Sequence, residues 1–187
     1  MTADEVFEIQ LKPAILYKDE IIRRMAERNY SDDMLNYTGC LDCYSPNILA
    51  ETDASTYQYA IVDGERLVGY FDYKVDWYSS CAHCFGLVSF EHNRAVGIAV
   101  YRELRKLIYD YHIHRIEWRM VGGNPVERHY DRFCRRYGGK KFVLTDVVRD
   151  RFGKYHNDVI YEIVFKERTA PNDCPNCGAK IDGGGDS

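Results

Sequence analysis

The sequence predicts a single mixed α/β domain, and three observations carry that reading. Short runs alternating apolar and polar residues interleave with segments of helical periodicity. The longest periodic segment, Arg94 to His112, follows closely on a strand-like run, Phe85 to Phe90. The chain then closes on two apolar runs separated by Phe152-Gly153-Lys154, the pattern of an antiparallel pair. A chain of 187 residues, 45% hydrophobic and 14% aromatic, fills one core and would be cramped as two. Residues 1–168 are therefore expected to form the domain, and residues 169–187, polar and glycine-rich, an appended tail.

Phe7 to Leu11 alternates as a first strand, with Phe7, Ile9 and Leu11 on one face. Asp19 is placed to cap a helix whose apolar face is Ile21, Ile22, Met25 and Ala26. Ser31 to Ser55 is less regular and reads as a short second helix and a loop carrying Cys40 and Cys43. A meander follows: Tyr57 to Val62, a turn at Asp63-Gly64, Leu67 to Val75, a loop around Ser79-Ser80, then Phe85 to Phe90. In the long helix Val96, Val100, Leu104, Leu107, Ile108 and Tyr111 recur at three- and four-residue steps, while Arg102, Glu103, Arg105 and Lys106 are expected to face away. Arg115 to Val121 is the next strand. Gly123-Asn124-Pro125-Val126-Glu127 then starts a helix, with Asn124 at the cap, Pro125 in the first turn and Glu127 placed for a capping box. Val126, Tyr130, Phe133, Cys134 and Tyr137 form its inner face and Gly138-Gly139 stop it. Phe142 to Arg149 and Asp158 to Phe165 complete the strands.

The hexapeptide Arg94-Ala95-Val96-Gly97-Ile98-Ala99 is the most informative stretch for function. It lies where a strand passes into a helix. Glycine lets the backbone approach a ligand, and the first amides of a helix have no partner within it, so they point outward as donors toward an anion. A formal net charge of −4 argues against nucleic acid held through phosphate neutralisation. Neither a secretory signal nor an apolar run long enough for a bilayer is visible, so a soluble, cytoplasmic protein with no membrane partner is expected.

The order of elements and the Arg94-x-x-Gly97-x-Ala99 loop together resemble the GNAT superfamily of acyl-CoA-dependent N-acyltransferases. The likeness extends over about Phe7 to Val164, and includes Gly123-Asn124-Pro125 opening a helix after a strand and the Gly153 to Asp158 turn before the last strand. It implies about seven mostly antiparallel strands with the fourth and fifth splayed apart, flanking helices, and acetyl-CoA in the gap. Backbone groups of Leu87, Val88 and Ser89 would hold the pantetheine arm, and amides of Arg94, Ala95, Val96, Gly97, Ile98 and Ala99 the pyrophosphate, with Asn124 contributing from the next helix. An amine would attack the thioester directly. Holding both reactants together removes on the order of 7–11 kcal/mol of barrier, so few chemical groups are needed. The resemblance implies a proton donor on the helix after Asn124. Family spacing falls on Asp131 or Cys134, and Tyr130, one turn before Cys134, is the expected general acid. Glu91 and Glu117 are the candidate bases, each also readable as a solvated carboxylate.

Seven cysteines, six of them in Cys-x-x-Cys pairs, suggest thiols or thiolate–metal ligation. Cys174-Pro175-Asn176-Cys177-Gly178 has the shape of a zinc knuckle, and a structural site needs a second pair, from Cys81 and Cys84 or from Cys40 and Cys43. In a GNAT-like sheet the last strand ends where the fourth begins, which favours Cys81, Cys84, Cys174 and Cys177 as ligands. The other reading leaves the cysteines as small apolar residues and the tail without metal, and His83 can stand in for one ligand. Arg132, Arg135, Arg136, Lys140 and Lys141 form a solvated basic face or neutralise the coenzyme's 3'-phosphate. The expected function is transfer of an acetyl group from acetyl-CoA to an amine. The rival from another class is a non-catalytic acyl-CoA-binding or protein-interaction module stabilised by zinc.

Overall fold

A computed structural model of the chain describes residues 9–29, 46–51, 53–91, 93–150 and 152–166. The stretch expected to hold a short second helix and a loop with Cys40 and Cys43 falls largely outside the described residues, as do Cys174 and Cys177.

Among the described residues seven strands form one sheet: β1 (Ile9–Pro13), β2 (Thr56–Asp63), β3 (Arg66–Asp76), β4 (Cys81–Ser89), β5 (Arg115–Val121), β6 (Lys140–Arg149) and β7 (Tyr155–Val164). Their order is β1-β2-β3-β4-β5-β7-β6, and every neighbouring pair is antiparallel except β4 with β5, which runs parallel. The β2–β3 hairpin turns at Gly64, whose φ of +64° is the left-handed backbone such tight turns need. β4 begins four residues earlier than the run Phe85 to Phe90 suggests. The carboxylate of Asp76 accepts the amides of Tyr78 at 2.9 Å and Ser79 at 3.3 Å, tightening the turn so that Cys81 and Ala82 already pair with Asp76 and Val75.

Three α-helices among the described residues cover the sheet: α1 (Lys18–Asn29), α2 (Arg94–Tyr109) and α3 (Glu127–Arg136). Because α1 begins at Lys18, Asp19 lies inside its first turn rather than capping it, where its charge favours the positive end of the helix dipole. Strand alternation splits the core in two. On one face Ile21 and Met25 of α1 and Ile48 of the 46–51 segment meet Val62, Leu67, Tyr70 and Val88. On the other, Val96, Val100 and Leu107 of α2 and Cys134 of α3 meet Phe71, Tyr73, Ile116 and Trp118. Trp118 stacks on Tyr161 with ring centroids 5.0 Å apart, joining β5 to β7 beneath α3.

Glu103 departs from its expected outward position. It is only 3% exposed, and its carboxylate accepts the hydroxyls of Tyr73 at 2.8 Å and Tyr59 at 3.2 Å. Those two donors and the ammonium of Lys106 at 3.1 Å replace the water that a surface glutamate would have. Among the described residues no helix is long and apolar enough to cross a membrane.

Candidate active site

β4 and β5 are joined only through Cys81 with Arg115 and Ala82 with Ile116. Past those two pairs the strands part, and the edge of β4 that faces β5 has no further ladder partner among the described residues. A cleft of about 600 Å³ opens there, floored by Phe85, Leu87, Ile116 and Trp118 and walled by α2 and α3. Ile98 and Tyr101 of α2, 45% and 37% exposed, keep large apolar surface in its wall. Arg94, His129, Arg132 and Arg136 are exposed on the same wall and make its mouth cationic. The indole Nε1 of Trp118 is buried in that floor with no hydrogen-bond acceptor among the described residues. Buried donors are rarely left in that condition without a ligand or water to meet them.

The hexapeptide forms the first turn and a half of α2, since the helix begins at Arg94 itself. The amides that the helical ladder leaves without an i−4 partner in the first turn are those of residues 94–96, of which Val96 N–H already points at Asn93 O at 3.3 Å, while those of Gly97, Ile98 and Ala99 fall to the ladder. The first turn carries no acidic side chain to answer its dipole. Val96 and Ala99 are buried against the sheet, whereas Gly97 faces the cleft, and a Cβ built on it meets no atom within 4 Å. The protein itself has no packing reason for glycine there.

On β4, Leu87 lines the cleft and Val88 points into the α1 layer. The Ser89 hydroxyl donates to Glu91 O. Asn124 is 5% exposed and outside the cleft wall, its Oδ1 accepting Val126 N–H at 2.9 Å, while Glu127 Oε2 accepts Gly123 N–H at 3.0 Å. Both bonds differ from the expected capping box, which would join Asn124 and Glu127 to each other: α3 starts at Glu127, and its cap residue Val126 makes no side-chain cap bond.

Tyr130 lies in the cleft wall, its ring edge-on to Trp118 at 5.8 Å and to Tyr161 at 6.0 Å. Cys134, the other residue considered as acid, is 4% exposed, with its Sγ directed at Lys140 O at 3.4 Å in the α3–β6 junction. Burial pushes its thiol above the ordinary range. Asp131 accepts Lys141 Nζ and Tyr161 Oη, both at 2.8 Å, and the Lys141 bond holds its carboxyl below the usual range. Of the candidate bases, Glu91 is ion-paired with Arg66 at 3.1 Å and Arg24 at 3.5 Å, and Glu117 with Arg115 at 2.6 Å. A carboxylate overlooked in the sequence, Asp72, is set into β3 where burial pushes its pKa up to about 6.

Cys81 and Cys84, the expected second ligand pair, both lie within β4. Cys84 is exposed, with a φ of +53° at a β4 irregularity, and its Sγ lies 3.1 Å from His83 Nδ1. Among the described residues no three His, Cys, Asp or Glu side chains gather as a metal site.

No protein-family model matches the chain, and no curated protein matches it by sequence. Solved structures do match in shape. RimL, a ribosomal L7/L12 alpha-N-protein acetyltransferase in complex with coenzyme A, superposes with a TM-score of 0.63 at 13% identity, over 86% of this chain and 96% of that one. The microcin C7 self-immunity acetyltransferase MccE, in complex with acetyl-CoA and AMP, gives 0.60 at 14% identity over 84% and 93%. A probable GNAT-family acetyltransferase from Chromobacterium violaceum gives 0.57 at 17% identity over 83% and 86%. With β4 and β5 parallel and parting, the fold is that of the GNAT acetyltransferases.

Proposed function

We propose that the chain is an N-acetyltransferase that moves the acetyl group of acetyl-CoA to a primary amine by direct attack. One observation carries the reading: an apolar cleft between parted strands ends at the start of α2, where Gly97 leaves room for a ligand that the protein does not fill. A diphosphate fits the first-turn amides and Arg94, since helix N-termini bind anions through unpaired N–H groups and the dipole. Arg132 and Arg136, one turn apart on α3, then meet the remaining phosphate charge by charge-assisted bonds. The pantetheine arm follows Leu87 along the unpaired edge of β4, and its amide carbonyls suit the orphaned Trp118 N–H.

That placement brings the thioester to the point where β4 and β5 part. Donors fixed beforehand along the β4 edge stabilise the oxyanion that develops on the carbonyl. Tyr130 protonates the departing thiolate from α3, consistent with its place in the cleft wall. The test is release of free thiol from acetyl-CoA on addition of a panel of primary amines, with the acetylated product identified by mass. Amine-dependent turnover is the expected result. Tight coenzyme A binding with no turnover against the panel would replace the enzyme by a binding module, and absence of coenzyme A binding would sink both.

A further inference from the structure

Asp72 lies one strand from the gap, on the face of the sheet opposite the cleft. Alternation along β3 sends Phe71 and Tyr73 into the α2 layer, so Tyr70 and Asp72 face the α1 layer. In the β3–β4 ladder Asp72 is opposite Gly86, beyond Ala82, the last residue of β4 joined to β5. The carboxylate therefore borders the stretch of β4 whose other edge faces the gap. It is partly exposed, so a substrate can reach it.

The surroundings hold this carboxylate in one place. Tyr70 Oη donates to Asp72 Oδ2 at 2.9 Å and accepts from Gln58 Nε2 at 3.1 Å. Gln58 is itself tied to the 46–51 segment, donating to Asn47 O and accepting Leu49 N–H, each at 2.9 Å. From β4 the Gly86 N–H bonds to the carboxylate, and any Cβ at position 86 would overlap it, so glycine there is the condition for its presence. Desolvation raises its pKa despite the opposing influence of Tyr70, Gly86 N–H and Lys74. An asparagine or serine could accept the Tyr70 hydroxyl without the cost of burying a charge. A structural role gives no reason for an acid.

Its position does. If the coenzyme occupies the cleft on the α2–α3 face, an acceptor entering the gap from the α1 face would meet the thioester on the side that carries Asp72. On the acetyltransferase reading above, we propose that Asp72 is the base that takes a proton from the acceptor's ammonium group. The freed lone pair forms the C–N bond to the carbonyl carbon, the C–S bond breaks, and sulfur leaves as thiolate and is protonated by Tyr130. The second nitrogen proton leaves with the collapse of the intermediate and restores the donor. The charged and titratable neighbours on this face are Tyr70 and Lys74 of β3 and His83 of β4, which pairs with Lys74; β2 presents the neutral Gln58, and the 46–51 segment backbone groups of Asn47 and Leu49.

The experiment compares wild type, Asp72→Asn and Tyr70→Phe, with kcat and kcat/KM followed from pH 5 to 9, coenzyme A affinity by calorimetry and folding by circular dichroism. In wild type, kcat/KM should rise with pH through an acid limb near 6, as the carboxylate loses its proton. Asp72→Asn should lower kcat by roughly 10²- to 10⁴-fold and abolish that limb, with coenzyme A affinity within about threefold of wild type. Tyr70→Phe removes a bond that lowers the pKa of the carboxyl, so its limb should move to higher pH with much of the plateau rate kept. A turning-over wild type with an unaltered Asp72→Asn profile, or an unmoved limb in Tyr70→Phe, overturns the assignment of Asp72 alone. A folded Asp72→Asn that has lost coenzyme A also overturns it, in favour of a structural role. A wild type that binds coenzyme A and acetylates nothing overturns the transferase reading, and the role of Asp72 falls with it.

Discussion

Alanine in place of Gly97 should stabilise the free protein and weaken its hold on coenzyme A. Gly97 is an interior residue of α2 with no positive φ, and a Cβ there meets nothing within 4 Å. The folded chain gains from the change, because glycine in a helix costs roughly 0.5–1 kcal/mol relative to alanine. At about 2–4 °C per kcal/mol for a domain of this size, the melting temperature should rise by about 1–4 °C. The methyl group would stand in the cleft wall at the turn proposed to take the diphosphate, and would hold it away from the first-turn amides. Hydrogen bonds to charged groups are worth about 1.5–3 kcal/mol each, so losing one weakens binding by about ten- to a hundredfold. Calorimetric titration with coenzyme A and thermal melting of the free protein measure the two effects separately. Unchanged affinity beside a higher melting temperature would refute a ligand at this turn, and a lower melting temperature would show that the fold itself needs glycine.

Neutralising the cleft mouth with Arg132→Ala and Arg136→Ala together should weaken coenzyme A by about ten- to a hundredfold and flatten the salt dependence of its affinity, as titrations between 50 and 300 mM salt would show. Glu103→Ala strands the hydroxyls of Tyr59 and Tyr73 in the α2–β3 interface, at about 1–3 kcal/mol each. A fall of roughly 5–15 °C in melting temperature is expected, and one under about 2 °C would mean the hydroxyls find other partners. Tyr130→Phe should reduce kcat by about ten- to a hundredfold while KM for acetyl-CoA stays near wild type, and a poorer acceptor-independent binding of coenzyme A would instead mark the ring as a wall of the cleft.

Periodicity together with turn residues marks the seven described strands and the long helix of this chain, with β4 read four residues short at its start. It misplaces polar residues whose partners are distant in sequence. Glu103 looks like one more charge on a solvated helix face, and nothing local to α2 announces that Tyr59 and Tyr73 wait beneath it on two strands. Cys81 and His83 carry little strand propensity, and their pairing with β3 is imposed by the Asp76 turn. Asp72 was hidden for the same reason. In Tyr70-Phe71-Asp72-Tyr73 it reads as the outward polar position of an alternating strand, whereas the register puts it against Gly86 and beneath Tyr70. The strand-to-helix setting of the hexapeptide is legible because its signal is local: a strand-like run, then a glycine within a helix start a few residues on.

Stability against pH gives a reading of Asp72 that needs no substrate. Its carboxyl has an ordinary pKa of 3.8 and is raised to about 6 in the fold, by burial above all. Between those values the folded chain keeps a proton that the unfolded chain has released. Stability is therefore unpenalised below pH 3.8, declines as pH rises toward 6, and carries the whole penalty above it. At about 1.36 kcal/mol per pH unit that penalty is on the order of 3 kcal/mol. Asp72→Asn removes the titration, so its stability relative to wild type should climb between pH 4 and 7 by an amount of that order and then level off. Any constant cost or gain of the amide against Tyr70 and Gly86, and the titration of every other group, cancels in the pH dependence of the difference. Denaturant unfolding of both proteins at several pH values measures it. A mutant that is most stable where it is least active means that the chain gives up stability to keep a charge one strand from the gap. A difference flat across pH 4–7 would instead place the ionisation of Asp72 near that of an exposed carboxyl, and with it remove the physical reason for choosing this residue as the base.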